Sequence, residues 1–145
     1  MAKSIKFKDN TYLDSTSIVH KKTKLSDLLD RNAVSIVDNP TTNINISNST
    51  RILSKDIVIN SGKVLIIGTI YLTHDGGTPI VNFVIDGNAV ATFYASKVDS
   101  VYTFSTIANN LSVGSHNIYI QINKGNASNV VAPAYTARNL TIVEI

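Results

Sequence analysis

The chain has 145 residues and a net charge of +3, the size of one domain with room for a short appendage. It contains no cysteine, which excludes a disulfide framework and any thiolate zinc site. Residues 1–31 hold seven Lys/Arg against four Asp while the remainder holds six of each sign, so the folded part is neutral and a nucleic-acid-binding stripe on it is not expected.

The first eight residues, Met-Ala-Lys-Ser-Ile-Lys-Phe-Lys, lack an apolar core and predict no secretory signal. Nothing along the chain approaches the ~18 apolar residues of a membrane span. Residues 5–8 alternate apolar and basic, Asp9-Asn10 is a turn pair, and Thr11-Tyr12-Leu13 reads as a returning strand of a small hairpin. Residues 15–24 are polar. Leu25, Leu28 and Leu29 then recur at helical spacing, enough for one or two turns.

Ala33 to Val37 is a short apolar run stopped by Asp38-Asn39-Pro40. We place the boundary of the β-domain there, with an attachment segment over 1–38 and a sandwich over 41–145. On this reading a chain starting near Thr41 stays folded.

Beyond it, strands are predicted at 44–47, 51–54, 56–60, 63–74, 80–86, 89–95, 101–107, 116–123 and 138–145. Six of the seven glycines fall between these runs, where turns need positive φ. Gly68 alone lies inside one, which suggests a bulge or a close backbone approach. The run 63–75 is the most strand-like, dense in β-branched residues and apolar on both faces over its first half. His116-Asn-Ile-Tyr-Ile-Gln-Ile-Asn alternates cleanly and predicts Ile118, Ile120 and Ile122 inward, with Tyr119, Gln121 and Asn123 outward. Asp86-Gly87-Asn88 is a hairpin signal. Read as a three-residue loop, it puts Val81, Phe83, Ile85, Ala89, Ala91 and Phe93 on one face. The fold class is all-β: an antiparallel two-sheet sandwich, jelly-roll-like, with a short N-terminal hairpin and helical turn.

Catalytic chemistry finds little support. There is no Gly-x-Ser-x-Gly, the histidines at 20, 74 and 116 lie in separate segments, and Glu144 is the single glutamate. Asp75, Asp86 and Asp99 fall at strand ends, where Asp serves turns, and no Asp-x-Asp-x-Asp loop points to calcium. Neither a metal nor a cofactor is expected, and the chain does not read as an enzyme. The six tyrosines are more suggestive, because tyrosine on a Thr/Asn/Gln/Ser face suits a wet interface or a polyhydroxylated ligand. Tyr71, His74, Asp75, Tyr94, Tyr102 and Tyr119 are the candidate ligand-binding residues.

Residues 5–29, with Lys8-Asp-Asn-Thr-Tyr-Leu-Asp-Ser15, Ile18-Val-His20 and Leu25-Ser-Asp-Leu-Leu29, resemble the N-terminal segment of tail-tip and baseplate structural proteins of phages infecting Gram-positive bacteria. The rest is similar, in pattern, to the trimeric jelly-roll heads of receptor-binding proteins, although no collagen-like or heptad stretch separates the two parts. The resemblance implies a virion component, made in the host cytoplasm and assembled into the tail. Its first 31 residues would dock on other tail proteins. Its sandwich would form a homotrimer and bind host cell-wall polysaccharide or another virion protein. A stand-alone carbohydrate-binding or adhesion module, and a decoration or spacer protein without ligand, are the alternatives. Neither nucleic acid nor membrane is an expected partner.

Overall fold

The structure, a computed structural model, describes residues 32–145 throughout and, before them, four strands of two residues each. The chain divides into two compact units, Met1–Arg31 and Asn32–Ile145. In the first, β1 (Ile5–Lys6) pairs antiparallel with β2 (Tyr12–Leu13), the hairpin read from the Asp9-Asn10 turn. There too, β3 (Val19–His20) pairs with β4 (Thr23–Lys24), inside the segment read as polar. The helical turn expected at Leu25–Leu29 lies outside the described residues.

The second unit is a sandwich of two antiparallel sheets, with no helix among the described residues. Its strands are β5 (Ala33–Asp38), β6 (Ile44–Asn45), β7 (Thr50–Ile59), β8 (Val64–His74), β9 (Ile80–Ile85), β10 (Asn88–Tyr94), β11 (Ser100–Ala108), β12 (Gly114–Asn123), β13 (Val130–Ala132) and β14 (Arg138–Glu144). One sheet runs β10-β9-β12-β7. The other is built on β8, which pairs with β11 and β14, while β5 flanks β14 and β13 carries β6. The chain changes sheet at most of its turns, so outside the β9–β10 hairpin each strand finds its pairing partners far away in sequence.

Strand β8 is the hub that its composition predicts. Val64, Ile66, Ile70 and Leu72 are fully buried, and the intervening positions are half-buried. A period-2 pattern does this by sending alternate side chains to opposite faces. Gly68 holds its place in both ladders, opposite Phe104 and Leu140, with no register shift. It is therefore a close approach and not a bulge. A Cβ there would come within 2.8 Å of the Phe83 ring and 2.9 Å of Ile120 Cδ1, so the absent side chain makes room for the facing sheet.

Several expectations need correction. The runs 51–54 and 56–60 are one strand, β7. Its ladder with β12 shifts between Ile120 and Gln121, which leaves Ile52 as the extra residue of a bulge. Ala33–Asp38 belongs to the sandwich, paired along β14 from Ala33–Val143 to Asp38–Arg138. The sandwich therefore begins at Asn32, ahead of the Asn39-Pro40 break. The short strand β13 had no sequence signal.

The hairpin loop is two residues, not three, because Asn88 pairs with Ile85. Asp86 and Gly87 both take positive φ, 49° and 86°, the requirement of a type I′ turn. A bulge at Val90, between Ala89 and Ala91, then restores the phase that puts Ala91 opposite Phe83 and Phe93 opposite Val81. Ala89 consequently pairs with Val84 and leaves the predicted inner face.

Candidate functional site

Strand β12 and the Asp86-Gly87 turn bring together a serine, a histidine and an aspartate that lie 30 residues or fewer apart. His116 Nδ1 is 2.6 Å from Asp86 Oδ2, and His116 Nε2 is 3.4 Å from Ser112 Oγ. That outline is the one a hydrolase uses. The donor inventory argues otherwise here. The nearest atom to Nε2 is the Ser112 carbonyl oxygen at 2.8 Å, which can only accept. Nε2 therefore donates to it while Nδ1 donates to Asp86, and no ring lone pair is left to take a serine proton. Both directions of shift agree. The Ser112 carbonyl and then Asp86 raise the His116 pKa above 6.5, with burial opposing. The Asn117 amide and then His116 hold Asp86 below 3.8, again against burial. The cluster is an ionic clamp closing the β9–β10 turn onto β12.

Glu144 is a second clamp. Its side chain is buried, and burial alone would raise its pKa. Three backbone amides outweigh that: Asn32 N donates to Oε2 at 2.9 Å, and Asn60 N and Ser61 N donate to Oε1. The net direction is below the ordinary carboxylate value. The single glutamate thus ties β14 to the start of β5 and to the β7–β8 turn. Nothing in its local sequence could have indicated this, because the three amides come from remote segments.

Arg138 is fully buried at the first position of β14. Its Nη2 donates to Ala132 O at 3.0 Å and Pro133 O at 3.3 Å, and Nη1 lies 3.6 Å from Asp38 Oδ2. Nε and Nη1 have no hydrogen-bond acceptor among the described residues. Burial lowers its pKa and Asp38 opposes.

The six predicted ligand residues do not converge. His74 is buried, with Nδ1 3.0 Å from Gly76 O and Nε2 2.9 Å from Lys97 O. The Tyr102 hydroxyl joins it at Lys97, accepting from the backbone N at 2.6 Å and donating to the carbonyl. Asp75 accepts from the Ser128 amide at 3.2 Å and from its hydroxyl, which holds Asp75 below 3.8. These three residues fasten loops. Tyr71 lies on the outer face of the β8 sheet, opposite Val101. Tyr119 lies on the outer face of the other sheet but is only 6% exposed, its ring covered by the Arg51 guanidinium at 3.7 Å. Tyr94 keeps an open ring, 65% exposed.

Around Tyr94 and Tyr119 the outer face of the four-stranded sheet is amide-rich. Arg51, Gln121, Asn82 and Thr92 form one cross-strand row. Thr92 donates to Asn82 at 2.8 Å and Gln121 to Ser49 at 2.6 Å. The outer face of the β8 sheet is different in kind. Its rows, such as Ser105–Ile67–Thr141–Ser35 and Ile107–Leu65–Val143–Ala33, carry no charge. Hydroxyls pair across it, Ser35 with Thr141 at 2.9 Å and Thr69 with Thr103 at 3.2 Å. Sequence reading also missed Tyr135, 82% exposed and held at φ 58° by a bond from its amide to Pro40 O. A bulky residue at positive φ is a strained position.

No family model and no curated protein matches the chain. Among solved structures it is similar to Bacillus endospore appendages, a family of disulfide-linked pili (TM-score 0.45, 13% identity, 79% of this chain and 87% of that one). It is also similar to infectious bursal disease virus Gx strain (0.45, 14%, 78% of this chain and 31% of that one). The VP2 subviral particle of infectious bursal disease virus is a third (0.43, 14%, 79% and 37%). The neighbours are parts of pili or virus particles, and this chain spans about a third of each viral one.

Proposed function

We propose that this chain is a structural component of a phage or prophage virion, of the tail-tip or baseplate kind, that works by binding without turnover. The observation that carries the reading is the uncharged outer face of the β8 sheet, a broad surface suited to contact between proteins. The ionic groups that resemble a reaction centre are committed to holding the fold. Residues 1–31, the segment that resembles phage tail proteins, are the docking element, and copies on one particle multiply weak single contacts. Localisation follows from this: host cytoplasm before assembly, then the virion tail.

The amide row beside Tyr94 favours a second role for the same protein. Planar amides with an open tyrosine ring are what a polyhydroxylated ligand meets, so the four-stranded sheet is the face for host cell-wall saccharide. The test is retention of the full chain on purified host cell walls, beside co-assembly with tail proteins. Co-assembly that is lost on deleting residues 1–31 supports the virion reading. Wall retention lost with Tyr94→Ala supports the saccharide face, while retention without co-assembly would make the chain a stand-alone binding module.

A further inference from the structure

Sheet edges are hazards, since each offers a row of unpaired N–H and C=O groups, and proteins guard them with charges, bulges or brevity. Four edges of this sandwich are guarded, β6 by having only two residues. Strand β7 carries Arg51, Asp56 and a bulge, with Lys55 at the inward register position between Leu53 and Ile57. Strand β10 has the bulge at Val90. Strand β5 has six residues and ends on Asp38, and Asn32 just before it donates to Val58 O at 2.7 Å, closing that side against β7.

Strand β11 breaks the rule. Ser-Val-Tyr-Thr-Phe-Ser-Thr-Ile-Ala has nine residues, no charge, no proline and no glycine. All nine pair with β8 without a register shift, and no second strand flanks β11 among the described residues. The side chains at this margin are also incompletely covered. Phe93 stacks on Phe104 at 4.7 Å and Tyr102 on Phe104 at 5.6 Å, and all three are only partly buried.

The composition of β11 reads almost the same in both directions about Phe104. Reversed against itself, Val101 meets Ile107, Thr103 meets Ser105, Tyr102 meets Thr106, and Phe104 meets its own copy. Opposed residues on antiparallel strands share a face, so aliphatic meets aliphatic and hydroxyl meets hydroxyl on the outer side. On the inner side the two aromatic stacks cover each other.

We propose that β11 pairs antiparallel with β11 of a second copy, centred on Phe104, joining the two β8 sheets into one continuous sheet. The two-fold axis stands normal to the sheet, so the contact is isologous and closed, and main-chain hydrogen bonds supply it, as in strand addition generally. This replaces the expected three-fold closure by a two-fold one. It stands on the edge strand alone, whether or not the chain is a virion component.

The test is sedimentation of the full-length chain at micromolar concentration. The expected mass is twice 15.7 kDa; a monomer or a trimer overturns the pairing. Thr103→Lys with Ser105→Lys changes two exposed side chains and sets ammonium groups opposite one another across the seam. Self-association should weaken by on the order of 100-fold, and unchanged association overturns the proposal. Mixing that chain with Thr103→Glu/Ser105→Glu should restore a mixed dimer, and failure to do so counts against the register. If the lysine variant does not fold, amide exchange in the unmodified chain decides. Protection across residues 100–108 should rise with protein concentration, and protection independent of concentration overturns the pairing.

Discussion

The two outer faces of this sandwich share one inner core yet are built from different chemistry. On the four-stranded sheet, Arg51 covers Tyr119, Asn117 donates to Asp56 at 2.7 Å, and the edge strands β7 and β10 both carry bulges. On the β8 sheet, aliphatic residues and paired hydroxyls fill rows without a charge, and β11 runs straight. Alternation along a strand decides what is inside. What lies outside is free to vary, and its variation is where function is written. One face carries charges and amides; the other carries no charge along its strands.

The sharpest way to test inside against outside is on neighbouring residues of β8. Ile66 is fully buried and Ile67 half-buried on the uncharged face. Ile66→Asp places an unpaired carboxylate in the core and should cost several kcal/mol, enough to unfold the sandwich. Ile67→Asp should cost about 1 kcal/mol or less. Circular dichroism melts on both variants check this, and equal losses would show that both faces of β8 are core.

Next in size is the Glu144 clamp, which ties β14 of the β8 sheet to the start of β5 and to the β7–β8 turn. Glu144→Gln replaces a carboxylate receiving three amides by a group with one acceptor oxygen, at about 2–3 kcal/mol by denaturant unfolding. Its lowered pKa makes this contribution complete above 4.5 and lost as pH falls through the folded value,. Starting the chain at Thr41 is harsher, since it removes β5 and the Asn32 amide together. A chain starting at Asn32 should unfold cooperatively, whereas one starting at Thr41 should not.

The His116–Asp86 clamp gives the four-stranded sheet its own pH signature. His116 is raised above 6.5, so its share of stability is complete below 6.5 and lost as pH rises through the folded value,. Asp86 is held below 3.8, so its share is complete above 3.8 and lost as pH falls through the folded value. The clamp is therefore fully present between 3.8 and 6.5. His116→Asn should cost about 1 kcal/mol in that window, a modest value because the Asp86 side chain is 48% exposed,. Urea unfolding of both chains across pH 3 to 9 reads it, and a difference that grows above pH 7 would reverse the assigned charges.

What the sequence made legible follows from range. The strands β8 and β12 announce themselves because period-2 burial is local, and the turn at Asp86-Gly87 because positive φ selects its residues. Strand β5 was read as part of the attachment segment because its one apolar side, Val34 and Ile36, needs β14 across more than a hundred residues. The clamps on Glu144 and His116 were invisible for the same reason. Tyr119 was placed on the correct face, yet its cover came from Arg51, brought into reach by the β7 bulge. The tyrosines looked like one site because a sequence cannot say that two outer faces point apart.

The smallest expected effect bears on the amide face itself. Arg51 lies over the Tyr119 ring at 3.7 Å and reaches Asn117 Oδ1 at 3.4 Å. Both contacts sit at an edge, and a cation on an aromatic ring at such a site contributes about 0.5–1 kcal/mol. Arg51→Ala should therefore lower stability by no more than this while uncovering a ring now 6% exposed. Beside Tyr94 the face would then present two open tyrosines. If that face takes saccharide, wall retention should rise in Arg51→Ala and fall in Tyr94→Ala, with the fold intact in both by circular dichroism. If Arg51→Ala instead loses retention, the guanidinium itself is the contact, and the ligand is acidic and not neutral.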